Sequence, residues 1–494
     1  MSEGAVSAVI IVLICLVSVF SGWLAVRRRL PTAADYFTAG GVFGPFALAL
    51  GIFISFVSFF GYFGLASLSY RTGLGSLSAV GLVSVFTGLL LYLVHRKTVL
   101  LARPLGWSSQ GMVYGARYGR PMQFLVPLVM LLATVPYLAA QVMAIGHLCS
   151  SLGLPYWGGI LFIMLFTALY VTIGGFRGST YAHIIQGTIC LVGLLLTIGA
   201  ILHHYQGLSP LYQRILQTKP SLLMIGAGNP PAWHYTTILS FSLAMTLGTT
   251  CMMQPFMHAF STNDFRAFKT WTLMIGPLIF ISCGTSAWVG LVGFDLFPGL
   301  AGLASDQIYS LVLHALFPGW TAAVLLALVC GAAMATIDAL LLGNAMNLIN
   351  DIYKPFINPD LSDRQVVSYS RALIIAVTLI AVLLVWKPVI PIAELTVFGF
   401  STSALMIFPL VGGYYWRRAT SAGAIASLLV GIPANYILSI GLGWPRTMQM
   451  PKAELAGFSP FLAALLLTGI VFVVVSFLTS PSSKRVLDNF FAVE

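Results

Sequence analysis

The residues able to do chemistry lie inside long apolar runs. Two side-chain amides, Gln141 and Gln254, one imidazole, His183, and two of the thirteen carboxylates, Asp338 and Glu394, fall within or at the mouth of such runs. Two further runs are interrupted near their middles. LALGIFISFVSFFGYFGLAS carries Gly51, Ser55, Ser58, Gly61 and Gly64, and ILSFSLAMTLGTTCMMQPFMHAF carries Gly248, Thr249, Thr250 and Pro255. Glycine, hydroxyl and proline residues let a helix unwind at mid-depth, and unwound backbone in a bilayer is tolerated only where it lines a protein cavity. Its freed carbonyls are hard oxygen donors for a cation, and half-helix N-termini favour an anion. An ionisable side chain at membrane depth marks function by default, and an imidazole titrates near neutral pH. This set suits binding and release of ions and solutes. A membrane enzyme would need a polar catalytic cluster at one face, and neither His95 nor His203-His204 has carboxylates or cysteines near it in sequence. Cys15, Cys149, Cys190, Cys251, Cys283 and Cys330 lie in or beside apolar runs without CxxC spacing, so neither a disulfide framework nor a structural metal site is expected.

The elements that position these residues follow from composition. Of 494 residues, 59% are hydrophobic and 7% charged, with mean hydropathy +0.95, against roughly 25% charged in soluble proteins. The chain is an integral membrane protein. Apolar runs read against their breakers give thirteen spans, near residues 5–26, 44–70, 74–95, 122–150, 155–174, 179–201, 236–260, 270–296, 316–348, 371–387, 390–415, 419–440 and 458–480. The first is followed at once by Arg27, Arg28 and Arg29 and reads as a retained span, not a signal peptide. With the N-terminus outside, 18 of the 24 basic residues fall on the cytoplasmic side, an excess that also explains the net charge of +11 and puts the C-terminus inside. The loop from His95 to Pro121 is expected to lie along the interface as a short helix, and the connection from His203 to Pro231 to cover an outer vestibule.

Spans two to six and seven to eleven read as two five-helix repeats of opposite orientation, each opening with a broken helix, as in ion-coupled transporters. Small residues can also serve only close helix packing, but the recurrence five spans apart favours the transporter. The chain then divides into an extra N-terminal span and loop (1–40), a first repeat (41–201), a second repeat (236–418) and C-terminal spans (419–494), in one membrane domain with no soluble domain at either end.

Four segments carry a resemblance. Asp35-Tyr36-Phe37-Thr38-Ala39-Gly40-Gly41 looks like a DYFxAGR motif. Gly174-Gly175-Phe176-Arg177 through Gln186 is similar to GG[LF][KR]xxxWTDxxQ. Met334-Ala335-Thr336-Ile337-Asp338 through Asp351-Ile352-Tyr353 looks like MSTAD...DIY, and Tyr414-Tyr415-Trp416-Arg417-Arg418 like LYWRR. In this order they resemble the sodium/solute symporter family. The stretch Ala133-Thr134-Val135-Pro136-Tyr137-Leu138-Ala139-Ala140-Gln141 further resembles its monocarboxylate or pantothenate permease-like branch.

The resemblance implies an all-α fold of the leucine-transporter type and one Na+ site, made by the carbonyls of Ile54 and Val57 and, on span nine, by Ala332 and Thr336. Ala335 stands where many members have Ser, leaving four oxygens of five unless water or substrate supplies the last. His183, with Tyr181 and Ala182, replaces the Asp of the WTD motif, which implies that a second sodium site is absent. His183 either carries a proton or bonds across helices. Asp338 lies three residues after Ala335, on a different face from Thr336, and needs a partner; His183 is the candidate. Its role is an interhelical bond or proton coupling. Glu394 reads as a charge at a helix N-terminus, and His147 and His258, near span ends, as interfacial.

The solute is expected at mid-depth between the two broken helices and spans three, four and eleven, near Ser55, Ser58, Phe60, Tyr137, Gln141, Thr250, Gln254, Ser401, Thr402 and Ser403. No Lys or Arg lies at that depth, so an anion would be held by half-helix N-termini and hydroxyls. The expectation is inward Na+-coupled symport of a small monocarboxylate, similar organic acid or amino acid across the plasma membrane, with no organic cofactor and no nucleic-acid partner. The alternatives are proton-coupled symport through His183 and Asp338, and a transporter-like membrane sensor.

Overall fold

Long runs of Leu, Ile, Val and Phe in a bilayer leave the backbone only its own carbonyls to bond, and every long run here is helical. The computed structural model describes residues 3–28, 32–41, 43–225, 233–262, 264–385, 390–441 and 458–491. Arg29, Pro231 at the end of the expected outer connection, and the basic residues Lys387, Arg446 and Lys452 lie outside the described residues.

In chain order the spans are α1 (Glu3–Arg28), α2 (Pro45–Thr72), α3 (Gly75–Ala102), α4 (Arg120–Ser151), α5 (156–174), α6 (176–205), α7 (Tyr235–Cys251 with Met253–Ser261), α8 (Phe265–Leu296), α9 (Gly319–Asn347), α10 (Asp363–Leu384), α11 (Ile392–Tyr415), α12 (Ser421–Gly441) and α13 (Pro460–Leu478). α5 and α6 form one 50-residue helical stretch, Tyr156–Tyr205, broken at Gly175, where φ is 56° and ψ is −155°. Straight, it would be about 75 Å long, more than twice the ~30 Å core of a bilayer. Eleven described helices are long and apolar enough to cross, and the α7 pair, bent by 42°, makes twelve. Counting the two sides of Gly175 separately gives thirteen. A side chain at 175 would meet the Tyr36 carbonyl at 2.5 Å, so both the conformation and the close approach require glycine.

Two boundaries differ from expectation for local reasons. α10 starts at Asp363 instead of residue 371 because Ser362 and Gln365 form a capping box ahead of the apolar run. α9 continues through a wide turn, Leu348–Ile357, that carries Asp351. The expected short helix in the third loop is Gln110–Tyr118.

α2 is the axis of the molecule. Every residue from Leu48 to Tyr70 is buried, and so is every residue from Val329 to Asn347 of α9. α2 packs against α8, α9 and the Tyr156–Tyr205 stretch; α11 packs on α4 and α7, and α12 pairs with α13 at the periphery. Apolar side chains such as Val85, Leu165, Leu383 and Leu478 are exposed, and the largely apolar interior also holds hydroxyls and amides. An apolar outer surface suits a lipid surround.

Candidate ion and solute site

α2 breaks at Ser58, where φ is 46° and ψ is −179°. Ala39, Ser58 and Gln206 are the non-glycine residues at positive φ among the described ones. Such a conformation costs on the order of 1–3 kcal/mol and persists only where neighbours hold it. The neighbours here are specific. Phe59 N–H donates to Gln141 Oε1 of α4 at 2.9 Å, and Phe60 N–H donates to Ser58 Oγ at 3.1 Å. Gln141, expected at the solute, therefore splints the break with one amide atom, while its buried Nε2 has no partner.

The break in α7, at Met252, is satisfied differently. Ser403 Oγ of α11 donates to Gly248 O at 3.1 Å, His95 Nε2 bonds Thr250 O at 2.9 Å, and Gln110 Nε2 donates to Cys251 O at 2.8 Å. Three carbonyls around that break are thus occupied by side chains from other elements. Among the described hydrogen bonds, no side chain donates to the carbonyls of Ile54 or Val57. The two breaks are alike in sequence and unlike in their bonding: at the α2 break the Val57 carbonyl accepts the backbone N–H of Phe60, whereas at the α7 break side chains from other elements take the carbonyls.

Opposite that break lies α9. Thr336 Oγ1 donates to Ala332 O at 3.1 Å, which uses its proton and leaves its lone pairs free. Tyr137 of α4, fully buried, lies beside Ser58 and Thr336, and its hydroxyl has no hydrogen-bond partner. The donors implied for sodium are three backbone carbonyls and one hydroxyl, all hard oxygens, and that set fits a hard monovalent cation. Ala335 adds only a methyl group.

The ionisable residues form a second centre. His183 Nε2 lies 2.9 and 3.0 Å from the two Asp338 oxygens, and Tyr170 Oη donates to Asp338 Oδ2 at 2.5 Å. Gly51 of α2 leaves room for two imidazoles: a Cβ there would stand 3.2 Å from His258 Nε2 and 3.8 Å from His183 Nδ1. His258 is buried at 2% exposure and its Nδ1 donates to Gln254 O, so it is not the interfacial residue its place near a span end implies. Both side-chain atoms of buried Gln254 lack partners.

Several expected solute residues are spent on their own helices. Ser55 Oγ bonds Ile52 O, Thr250 Oγ1 bonds Thr246 O, and Ser401 and Thr402 both bond Phe398 O while accepting from Asn435. A central cavity of about 40 Å³ lies between α2, α3, α7, α8 and α11, walled by Phe56, Phe60, Phe241, Phe400, Thr249 and Cys283 among others. Of the expected solute residues it includes Phe60; Thr249, read in the sequence only as a helix breaker, also lines it, as do Phe241 and Cys283, whose types are unremarkable in an apolar run. A larger cavity, about 540 Å³, opens where α2 ends and α11 begins, beside Arg71, Lys219 and Glu394. There Arg71 and Glu394 form a buried ion pair at 3.1 Å, so Glu394 is more than a helix-terminal charge. In the segment ahead of α2, Asp35 pairs with Arg177 of α6 at 2.6 Å.

The model of the sodium:solute symporter family matches residues 36–431. The sodium/pantothenate symporter of Escherichia coli is 27% identical over 447 residues, covering 89% of both chains, and the osmoregulated proline transporter OpuE of Bacillus subtilis is 24% identical over 472 residues, covering 94% of this chain and 93% of that one. Among solved structures, a substrate-bound, outward-open Na+-coupled sialic acid symporter superposes with a TM-score of 0.79 at 18% identity, over 98% of this chain and 99% of that one. Mhp1, a nucleobase-cation-symport-1 family transporter, superposes with a TM-score of 0.56 at 13% identity, over 93% and 98%. With its broken α2 and α7 in place, this chain has the leucine-transporter-type fold and belongs to the sodium:solute symporter family, the Na+-coupled symporters of small solutes.

Proposed function

We propose that the protein carries a small monocarboxylate or similar organic acid inward together with one Na+, with its N-terminus outside and its C-terminus in the cytoplasm of a plasma-membrane setting. The observation that carries this reading is the oxygen set where α2 breaks against α9: Ile54 and Val57 carbonyls, with Ala332 O and Thr336 Oγ1 held 3.1 Å apart. An ion there bridges the two helices, so its binding favours one arrangement of α2 against α9 over another, which is what coupling requires. The solute reading is supported by a cavity whose wall combines four phenylalanines with the Thr249 hydroxyl. The aromatic wall suits the carbon skeleton, and helix-end amides suit a carboxylate. Pantothenate, proline and sialic acid, named for relatives and a structural neighbour, all carry a carboxylate. Ion and solute bind together while the site is open outward, and the bundle then rocks against the scaffold.

A second reading is favoured by one observation, the direct His183–Asp338 contact. In it a proton on this pair, not Na+, drives uptake. Uptake of labelled pantothenate, pyruvate, lactate and proline into proteoliposomes, with Na+ and pH gradients imposed separately, decides between them. We expect accumulation with the Na+ gradient, and a rise of about tenfold or more in the Na+ concentration needed once Thr336→Ala removes a ligand. Accumulation driven only by the pH gradient and lost in His183→Ala would replace the sodium reading with the proton one.

A further inference from the structure

A sodium site built as above is one oxygen short, because Ala335 offers none. The structure places an unclaimed oxygen beside it. Tyr137 is 0% exposed, its hydroxyl makes no hydrogen bond, and it adjoins Ser58 at the α2 break and Thr336 on α9. A buried hydroxyl without a partner costs roughly 1–3 kcal/mol, so its retention needs a reason. Packing is not that reason, since the ring already stacks edge-on against Phe400 at 5.0 Å and phenylalanine would do the same. The polar groups beside the hydroxyl are Ser58 and Thr336, and each is itself bonded to backbone, Ser58 Oγ accepting from Phe60 N–H and Thr336 Oγ1 donating to Ala332 O. Of these neighbours, Ser58 belongs to α2 and Thr336 to α9, which puts the hydroxyl between the two helices that carry Ile54, Val57 and Ala332. Its element, α4, also holds the break open through Gln141, one helical turn further along the same face.

We propose that the Tyr137 hydroxyl is the fifth oxygen of the sodium site, supplied from α4 in place of the serine hydroxyl that Ala335 lacks. This rests on the sodium reading above. It adds a third helix to the ion's contacts, so that Na+ clamps α2, α4 and α9 together.

The test is Na+-dependent thermal stabilisation of the purified protein in nanodiscs without solute, with K+ holding ionic strength constant. Tyr137→Phe is expected to raise the apparent Na+ Kd about tenfold without lowering the unfolding midpoint in K+. Ala335→Ser should restore most of that affinity in the Tyr137→Phe background and change it little alone, since the two oxygens would serve one coordination position. An unchanged Na+ Kd in Tyr137→Phe, with Thr336→Ala still weakening binding, would overturn the assignment and leave the sodium reading intact. Equal effects of Ala335→Ser in both backgrounds would also overturn it, and this arm retains a readout in the native-Tyr137 protein. No Na+-specific stabilisation of the unaltered protein would remove the sodium reading and this assignment together.

Discussion

Gln141 is the residue on which the geometry of the site turns. Its Oε1 takes the Phe59 N–H that the α2 break sets free, 82 residues away in sequence, and a donor at that depth has no water to turn to. Gln141→Leu should therefore cost about 1–3 kcal/mol, read as a lowered unfolding midpoint in nanodiscs, and should weaken Na+ and solute binding together because it loosens the oxygens of both. Gln141→Glu keeps the acceptor and should lose much less stability; equal losses in the two variants would make the contact incidental. The sequence marked Gln141 correctly as a residue needing a partner but not which one. For Asp338 the partner itself was expected: His183, 155 residues away, follows from the need to compensate a carboxylate. Tyr170, the other partner of Asp338, and Asn435, beside Ser401 and Thr402, left no such signal. A tyrosine or asparagine in a span is unremarkable until its neighbours are known.

Among the elements, the breaks in α2 and α7 were legible because glycine, hydroxyl and proline cluster there. The Gly175 interruption was legible as a boundary between two spans. What composition does not carry is which carbonyls remain free, and that separates an ion site from a mere kink. Element junctions also hold titratable groups outside the spans, Asp306 among them. Asp306, in the short helix Gly302–Gln307, accepts from Ile392 N–H at the start of α11, and the adjacent Ser305 hydroxyl bonds Ser67 of α2 at 2.7 Å. Burial raises the Asp306 pKa above its ordinary value of 3.8, with Ser67 and Arg71 opposing. A carboxyl whose folded pKa is raised binds more protons folded than unfolded, so the stability it contributes is full below 3.8 and falls as pH rises through the folded value. Asp306→Asn keeps the acceptor for Ile392 and removes the titration. It should flatten the pH dependence of thermal stability just above pH 4 and stabilise the protein at neutral pH; an unaltered profile would sink the idea.

At the scale of the whole molecule, thirteen spans could be read from hydropathy because lipid permits so few backbone solutions. The conformation could not. The central cavity of about 40 Å³ falls well short of the roughly 300–1,000 Å³ of small-molecule sites, so an organic solute requires helix movement. The ion pair Arg71–Glu394 ties one end of α2 to α11, and Asp35–Arg177 ties the segment ahead of α2 to α6. Passage of solute accordingly requires the bundle to part at one end and then at the other, as alternating access demands.

Cys283 stands in the wall of that narrow cavity, and all six thiols of the chain are free and buried. The native protein thereby carries an internal reporter of sidedness that needs no engineered label. A membrane-impermeant maleimide applied to one side of sealed vesicles should modify Cys283 only during excursions open to that side. Na+ should alter its rate from the two sides in opposite directions, and Cys283→Ala should abolish the signal. Equal effects of Na+ from both sides would mean that the cavity breathes instead of switching. Where substrate identity is still being sought, the same thiol turns screening into a protection assay: a solute that enters shields the sulfur, whether or not it is then transported.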